Sequence, residues 1–127
     1  MERNNSKAFA VVNTSLGTSG SGEEVFRVYG NGQVECRRVR VATNIWADYV
    51  FKDGYRLASL SETEQYINEN GHLPGTPTEK EVIEQGVDLA EMNRLLLEKI
   101  EELTLHVIRQ EKKIEELSKK SRESKKL

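Results

Sequence analysis

Cysteine occurs once in this chain of 127 residues, at Cys36. No intrachain disulfide can form and no cysteine metal cluster is possible. A lone free thiol, expected to be buried, fits synthesis in a reducing cytoplasm. Histidine occurs only at His72 and His106, so no ligand set stands at metal spacing, and neither metal nor cofactor is expected. Aromatic residues are 6% and hydrophobic residues 36%, against 31% charged. That balance is too polar for a large monomeric core and suits a helical oligomer whose core lies between chains. The net charge of -2 gives no overall pull toward nucleic acid or anionic membranes. Lys119, Lys120, Arg122, Lys125 and Lys126 follow a run of glutamates and read as a solvated helix end. No apolar run approaches membrane-spanning length, so no membrane insertion is expected. The start MERNNSKAF has no apolar signal core, which predicts synthesis without a signal peptide.

What the chain does have is a heptad repeat. With Ile100 at position a, the a positions are Asn93, Ile100, Val107, Ile114 and Ser121. The d positions are Leu89, Leu96, Leu103, Gln110, Leu117 and Ser124. Spacings that alternate between three and four keep one apolar stripe facing a partner helix as the two supercoil. A small chain cannot bury such a stripe by itself, so the repeat predicts a homo-oligomer. Leu89, Leu96, Ile100, Leu103, Val107, Gln110, Ile114 and Leu117 are the candidate oligomerisation residues. Asn93 and Gln110, polar positions within the seam, are the candidates for setting register. β-branched residues at a with Leu at d favour a parallel dimer, and Asn93 points the same way. Gln110 at d is tolerated in trimers, so the heptads leave both numbers open. Leu95, Leu97, Leu105 and Ile108 fall off the seam, which predicts that preceding short helices fold back onto the first turns. Beyond Ile108 only a and d stay apolar, so the helix there is expected to project bare. From Asp88 to Ser121 it spans roughly 50 Å at ~1.5 Å per residue.

Residues 1–45 read as a β-rich stem. Ala8 to Asn13 is a short apolar run, and Asn13 to Gly22 (NTSLGTSGSG) a Gly/Ser/Thr loop. In VFRVYGNGQVECRRVRVA the pairs Phe26 and Val28, Val34 and Cys36, and Val39 and Val41 follow period-two strand patterning. Gly30-Asn31-Gly32 supplies the positive φ that a tight turn requires, predicting a hairpin over 25–36. A strand pair is marginal alone, so these strands are expected to pair or pack with those of sister chains.

Residues 46–87 read as a small helical and aromatic domain. Trp46, Tyr49, Phe51 and Tyr55 cluster within WADYVFKDGYRL and are expected to form its core. Ser59 with Glu62, or Ser61 with Glu64, caps a helix that Asn70-Gly71 ends. HLPGTP (72–77) is a rigid turn. Thr78 with Glu81, or Thr76 with Glu79, caps a second helix ending near Gly86. Asp88 with Glu91 caps the long helix, which occupies residues 88–127. The fold class is therefore α+β.

Few residues offer chemistry. His72 beside Pro74 reads as a structural turn histidine, and His106 at a g position as a flank partner for Glu111 of a neighbouring chain. Gly30-x-Gly32 carries no phosphate signature, because no helix start follows it. Asp48 and Asp53 flank the aromatic cluster but read as loop caps or ion-pair partners, and no substrate-directed enzyme activity is expected. Trp46, Tyr49 and Tyr55 suit core packing better than a sugar platform.

WADYVF, then LASLSETEQYINENGHLPGTPTEKEV, then GVDLAEMNRLLLEKIEELTLHVI, in that order, resemble the C-terminal region of tail-fibre-like proteins of Bacteroidetes and their phages and prophages. The resemblance covers about half of the chain. VFRVYGNGQVECRRVRV is similar to the β-rich stem that precedes that region. The layout resembles the intramolecular chaperone domains of phage tail spikes, where a β-stem leads to a small helical domain and a coiled coil. The resemblance implies a homotrimer and a place in a virion or tail-like particle; a larger fibre protein, or a host surface glycan met by the β-stem or the loop Asn13 to Gly22, is the further partner expected of such a trimer. Members of that chaperone group cleave themselves at a Ser-Asp pair. The corresponding boundary here, Ala42-Thr43-Asn44-Ile45-Trp46-Ala47-Asp48, lacks the pair, and nothing near Thr43 supplies an evident base. The expectation is a structural fibre or fibre-tip subunit whose C-terminal part drives trimerisation and chain registration. The alternatives are a trimeric receptor- or glycan-binding adhesin and a self-cleaving chaperone.

Overall fold

The computed structural model describes residues 6–13 and 22–126. Most of the loop Asn13 to Gly22, a candidate receptor surface, lies outside the described residues. The chain divides into two compact units, Met1–Val41 and Ala42–Leu127, so the aromatic segment and the long helix belong to one body.

The first unit is a three-stranded antiparallel sheet, β1 (Lys7–Asn13), β2 (Glu23–Tyr29) and β3 (Val34–Cys36), in the order β1-β2-β3. The predicted β2–β3 hairpin is present. Its turn is closed by the Tyr29 amide donating to the Gln33 carbonyl (2.9 Å) and the Gln33 amide to Asn31 Oδ1 (3.0 Å), with Gly32 at φ 88°. The register sets Phe9 opposite Val28, Val11 opposite Phe26, Phe26 opposite Cys36 and Val28 opposite Val34. Residues directly opposite share a face, so these six make one apolar face, on which Phe9 and Phe26 meet edge to face at 6.3 Å. The other face is ionic, with Arg27 donating to Glu24 (2.8 Å) and to Glu35 (3.1 Å).

Two expectations need correction here. Cys36 is exposed, because none of the unit's described residues covers the apolar face there. The strand pattern at Val39 and Val41 is not realised, since β3 ends at Cys36. In the observed register Val39 would oppose Glu23, the first residue of β2, and the partner position of Val41 lies outside the described residues.

The second unit runs from a 3₁₀ turn (Asp48–Phe51) through α1 (Leu60–Asn70) and α2 (Glu79–Gln85) to α3 (Leu89–Ser124). The helix starts are set by their caps. Ser59 Oγ accepts from the Glu62 amide while Glu62 accepts from the Ser59 amide, and Thr78 and Glu81 repeat this box. Asp88 accepts from the Glu91 amide at 2.8 Å. Gly71 ends α1 at φ 76°, the left-handed conformation that glycine takes cheaply. The chain packs onto α3 chiefly through the 3₁₀ turn: Ala47, Val50 and Leu95 are buried, whereas α1 and α2 bury no residue fully. The expected aromatic core is not what forms. Trp46 (61%) and Phe51 (57%) are exposed, and the small side chains of Ala47 and Val50 go inward. Among the described residues no helix is long and apolar enough to cross a membrane.

Candidate functional site

The site is the surface of α3, and its two sides differ. The side at heptad positions b, c and f is covered by the chain's own 3₁₀ turn and the segment after it. Leu95 at c and Glu101 at b are 8% and 7% exposed. Around them lies a half-buried polar network. The Tyr49 hydroxyl donates to Glu98, the Tyr55 hydroxyl donates to Glu102 at 2.6 Å, and Arg94 donates to Tyr49 and to Glu98. Lys99 bridges Glu98 (3.1 Å) and Glu102 (2.9 Å).

Burial and the Glu102 bond push the Tyr55 hydroxyl above its ordinary pKa, and burial and Glu98 do the same to Tyr49. Burial alone would raise Glu98, but bonds from Tyr49, Lys99 and Arg94 hold its carboxyl below the usual range. Glu101 goes the other way. Burial raises it, the neighbouring charges of Asp48 and Glu98 add to this, and its buried Oε2 has no hydrogen-bond partner among the described residues. Of these residues the sequence marks only the two tyrosines, as aromatics, and Asp48, as a loop cap or ion-pair partner. The legible signal was charge at b, c and f with spacings of three and four, the pattern of ion pairs along one helix face.

The a/d side is open. Leu89, Leu96, Ile100, Leu103, Val107, Ile114 and Leu117 line one stripe of α3, each 54–60% exposed. Gln110, their eighth member, is exposed too. Asn93 is exposed, and its amide donates to the Leu89 carbonyl of its own helix at 2.8 Å. Of the apolar residues off the seam, Leu95 is buried, Leu97 and Leu105 are half-buried, and Ile108 is 45% exposed. From Val107 to Lys126 every residue is exposed, as a projecting helix requires. Exposure of this many large apolar side chains in one stripe marks an interaction surface.

The remaining candidates are placed as follows. His72 contacts the Leu73 carbonyl (3.0 Å) and stands edge to face with Tyr66 at 5.5 Å, as a turn histidine does. His106 lines an apolar cleft beside the seam. The Thr43 hydroxyl accepts from the Ile45 amide at 3.1 Å. Tyr49 and Tyr55 have ring centroids 6.0 Å apart, with both hydroxyls committed to α3 carboxylates, so the three aromatics do not form one open platform. Among the described residues no group of three or more His, Cys, Asp or Glu side chains is placed to hold a metal ion. Comparison of the chain with protein-family models, with curated proteins and with solved structures found no match.

Proposed function

We propose that the protein is a structural subunit that assembles with copies of itself through α3, as a parallel homotrimer at the tip of a phage or prophage tail fibre. The observation that carries the assembly is the contrast between the two sides of α3. Over its first turns the chain covers positions b, c and f, while along the helix it leaves seven large apolar a and d residues half exposed. A helix that served only its own chain would turn this stripe inward. Flank charges favour the parallel arrangement. The g edge carries Lys99, His106, Lys113 and Lys120, and the e edge carries Leu97, Thr104, Glu111 and Ser118. Parallel helices set g against e of the neighbour, whereas antiparallel ones would set the basic edge against itself. Trimer over dimer, and the fibre role, rest on the resemblance to tail-fibre tips.

The mechanism is registration. A one-residue slip between β-strands turns every side chain to the wrong face, and a coiled coil with polar layers at Asn93 and Gln110 aligns the chains first. Light scattering after size exclusion, with intact mass on the same sample, tests this. Three times the uncut chain mass of 14.5 kDa is expected. A monomer would sink the proposal, a dimer would remove the trimer, and a chain broken near Asn44 would revive self-cleavage.

A further inference from the structure

We infer that the cleft beside Leu103 is a second contact between copies, in which each chain receives Thr104 and Ile108 of its neighbour. This rests on the parallel assembly proposed above. The cleft, of about 110 Å³, is walled by Leu57 before α1 and Leu60 at its start, by Leu73 and Pro74 of the turn, and by Leu103 and His106 of α3. Leu60, Leu73 and Leu103 are 46%, 42% and 59% exposed, so the walls are apolar and open.

Three observations choose the occupant. First, Leu103 is both a d residue of the seam and a wall of the cleft, so the two surfaces are continuous and whatever covers the seam reaches the cleft. Second, the α3 residues of the cleft, Lys99, Glu102, Leu103 and His106, lie at g, c, d and g. Around a helix d, g and c are adjacent, as are a, e and b, and in a parallel bundle the first edge of one helix faces the second edge of the next. In register, the neighbour presents Thr104 at e at the height between Lys99 and His106, and Ile108 at b two residues above His106, its side chain leaning back toward the helix N-terminus. Third, Ile108 is an apolar residue off the seam that its own chain leaves exposed, unlike Leu95, Leu97 and Leu105. The edges also match in charge, since His106 faces Glu111 one step further along. The folded-back segment thus grips the next chain as well as covering its own helix.

The test uses cysteine pairs in a Cys36→Ser background. The double variant Leu60→Cys/Ile108→Cys is treated with a short bismaleimide at low protein concentration, and its mass in solution is measured beforehand. The expected result is a covalent ladder that stops at the number of chains in the assembly, with Leu60→Cys mixed with Ile108→Cys giving only covalent pairs. Either single variant alone stays uncrosslinked. An assembly of unchanged mass without the mixed crosslink overturns the inference and leaves the seam standing. Crosslinks between Ile108→Cys copies alone also overturn it, because the e and b edges would then face each other. A monomer removes the parallel assembly and this inference with it. Ile108→Asp separates the two further. It is expected to weaken association by about tenfold or more while the monomeric unit stays folded, and an unchanged dissociation constant would refute the contact.

Discussion

Leu103 is the most informative residue to perturb, because its role in the single chain is small and its role in the proposed assembly large. It is 59% exposed in the isolated chain. Burying a leucine side chain fully contributes about 1.5–3 kcal/mol, so covering the exposed remainder is worth about 1–2 kcal/mol per chain. In the proposed trimer, three symmetry-related copies would give about 3–6 kcal/mol, which is about two to four powers of ten in the association constant. Leu103→Ala should therefore move the midpoint of a dilution series upward by at least tenfold in chain concentration. Leu103→Asp, which would bring three carboxylates together in an apolar layer, should give monomer or aggregate at any practical concentration. Sedimentation equilibrium over a wide concentration range reads both, and circular dichroism on the same samples follows the projecting half of α3. Isolated helices of this length are marginal in water, so helicity beyond Val107 should fall with dissociation. A Leu103→Asp protein with parental mass and parental helicity at low concentration would refute the reasoning, because the seam would then not be the contact.

Three further outcomes follow from the same geometry. Ser59→Ala and Thr78→Ala each remove one half of a capping box and should each cost about 1 kcal/mol in thermal unfolding; loss from only one would mean that the other box is idle. Glu101→Gln should raise thermal stability at neutral pH, because the buried carboxyl is held above the ordinary value of 4.5 and its ionised form is the destabilising one. The parent gains as pH falls through that raised value, so the two proteins should converge below 4.5, and a gap that widens in acid would reverse the assignment. Gln110→Leu should raise the melting temperature while broadening the distribution of assembly sizes seen by native mass spectrometry, and a single unchanged mass would remove Gln110 from any part in register.

The parts of this fold that were legible in the sequence are those set by local period or local hydrogen bonding. The hairpin follows from the alternation of Phe26, Val28, Val34 and Cys36 about Gly-Asn-Gly. The helix starts follow from side chains that reach their own backbone three residues away, although Ser59 could not be told from Ser61 by spacing alone. The choice of Ser59 lengthens α1 and adds the bond from the Thr63 amide to the Ser59 carbonyl, 3.0 Å. The stripe on α3 was legible because the heptad is a property of the helix itself. What was not legible depends on docking between distant residues. WADYVFKDGYRL has neither period two nor period 3.6, so nothing within it said that Ala47 and Val50 would turn inward while Trp46 and Phe51 turned out. Tyr49 and Tyr55 reach carboxylates 49 and 47 residues away. Glu101 looks like any solvated heptad residue until the 3₁₀ turn lies across it. Cys36 misled for a related reason: a strand pattern names the apolar face but not whether anything in the same chain will cover it.

The unequal dressing of α3 also gives the molecule a direction in time. Its first turns are held helical by the Asp88 cap, by Leu95 under the 3₁₀ turn and by the tyrosine–carboxylate bonds, so they exist before any partner arrives. The stretch after Ile108, helical as far as Ser124, has no such support from its own chain. In the proposed assembly, association would therefore begin at the dressed end and run toward Ser124, like a fastener with its slider already fitted. Dissociation would run back the other way. The lysine-rich end would be the first to open and the first within reach of a protease, and trimming it would shorten the grip without disturbing the part that starts it.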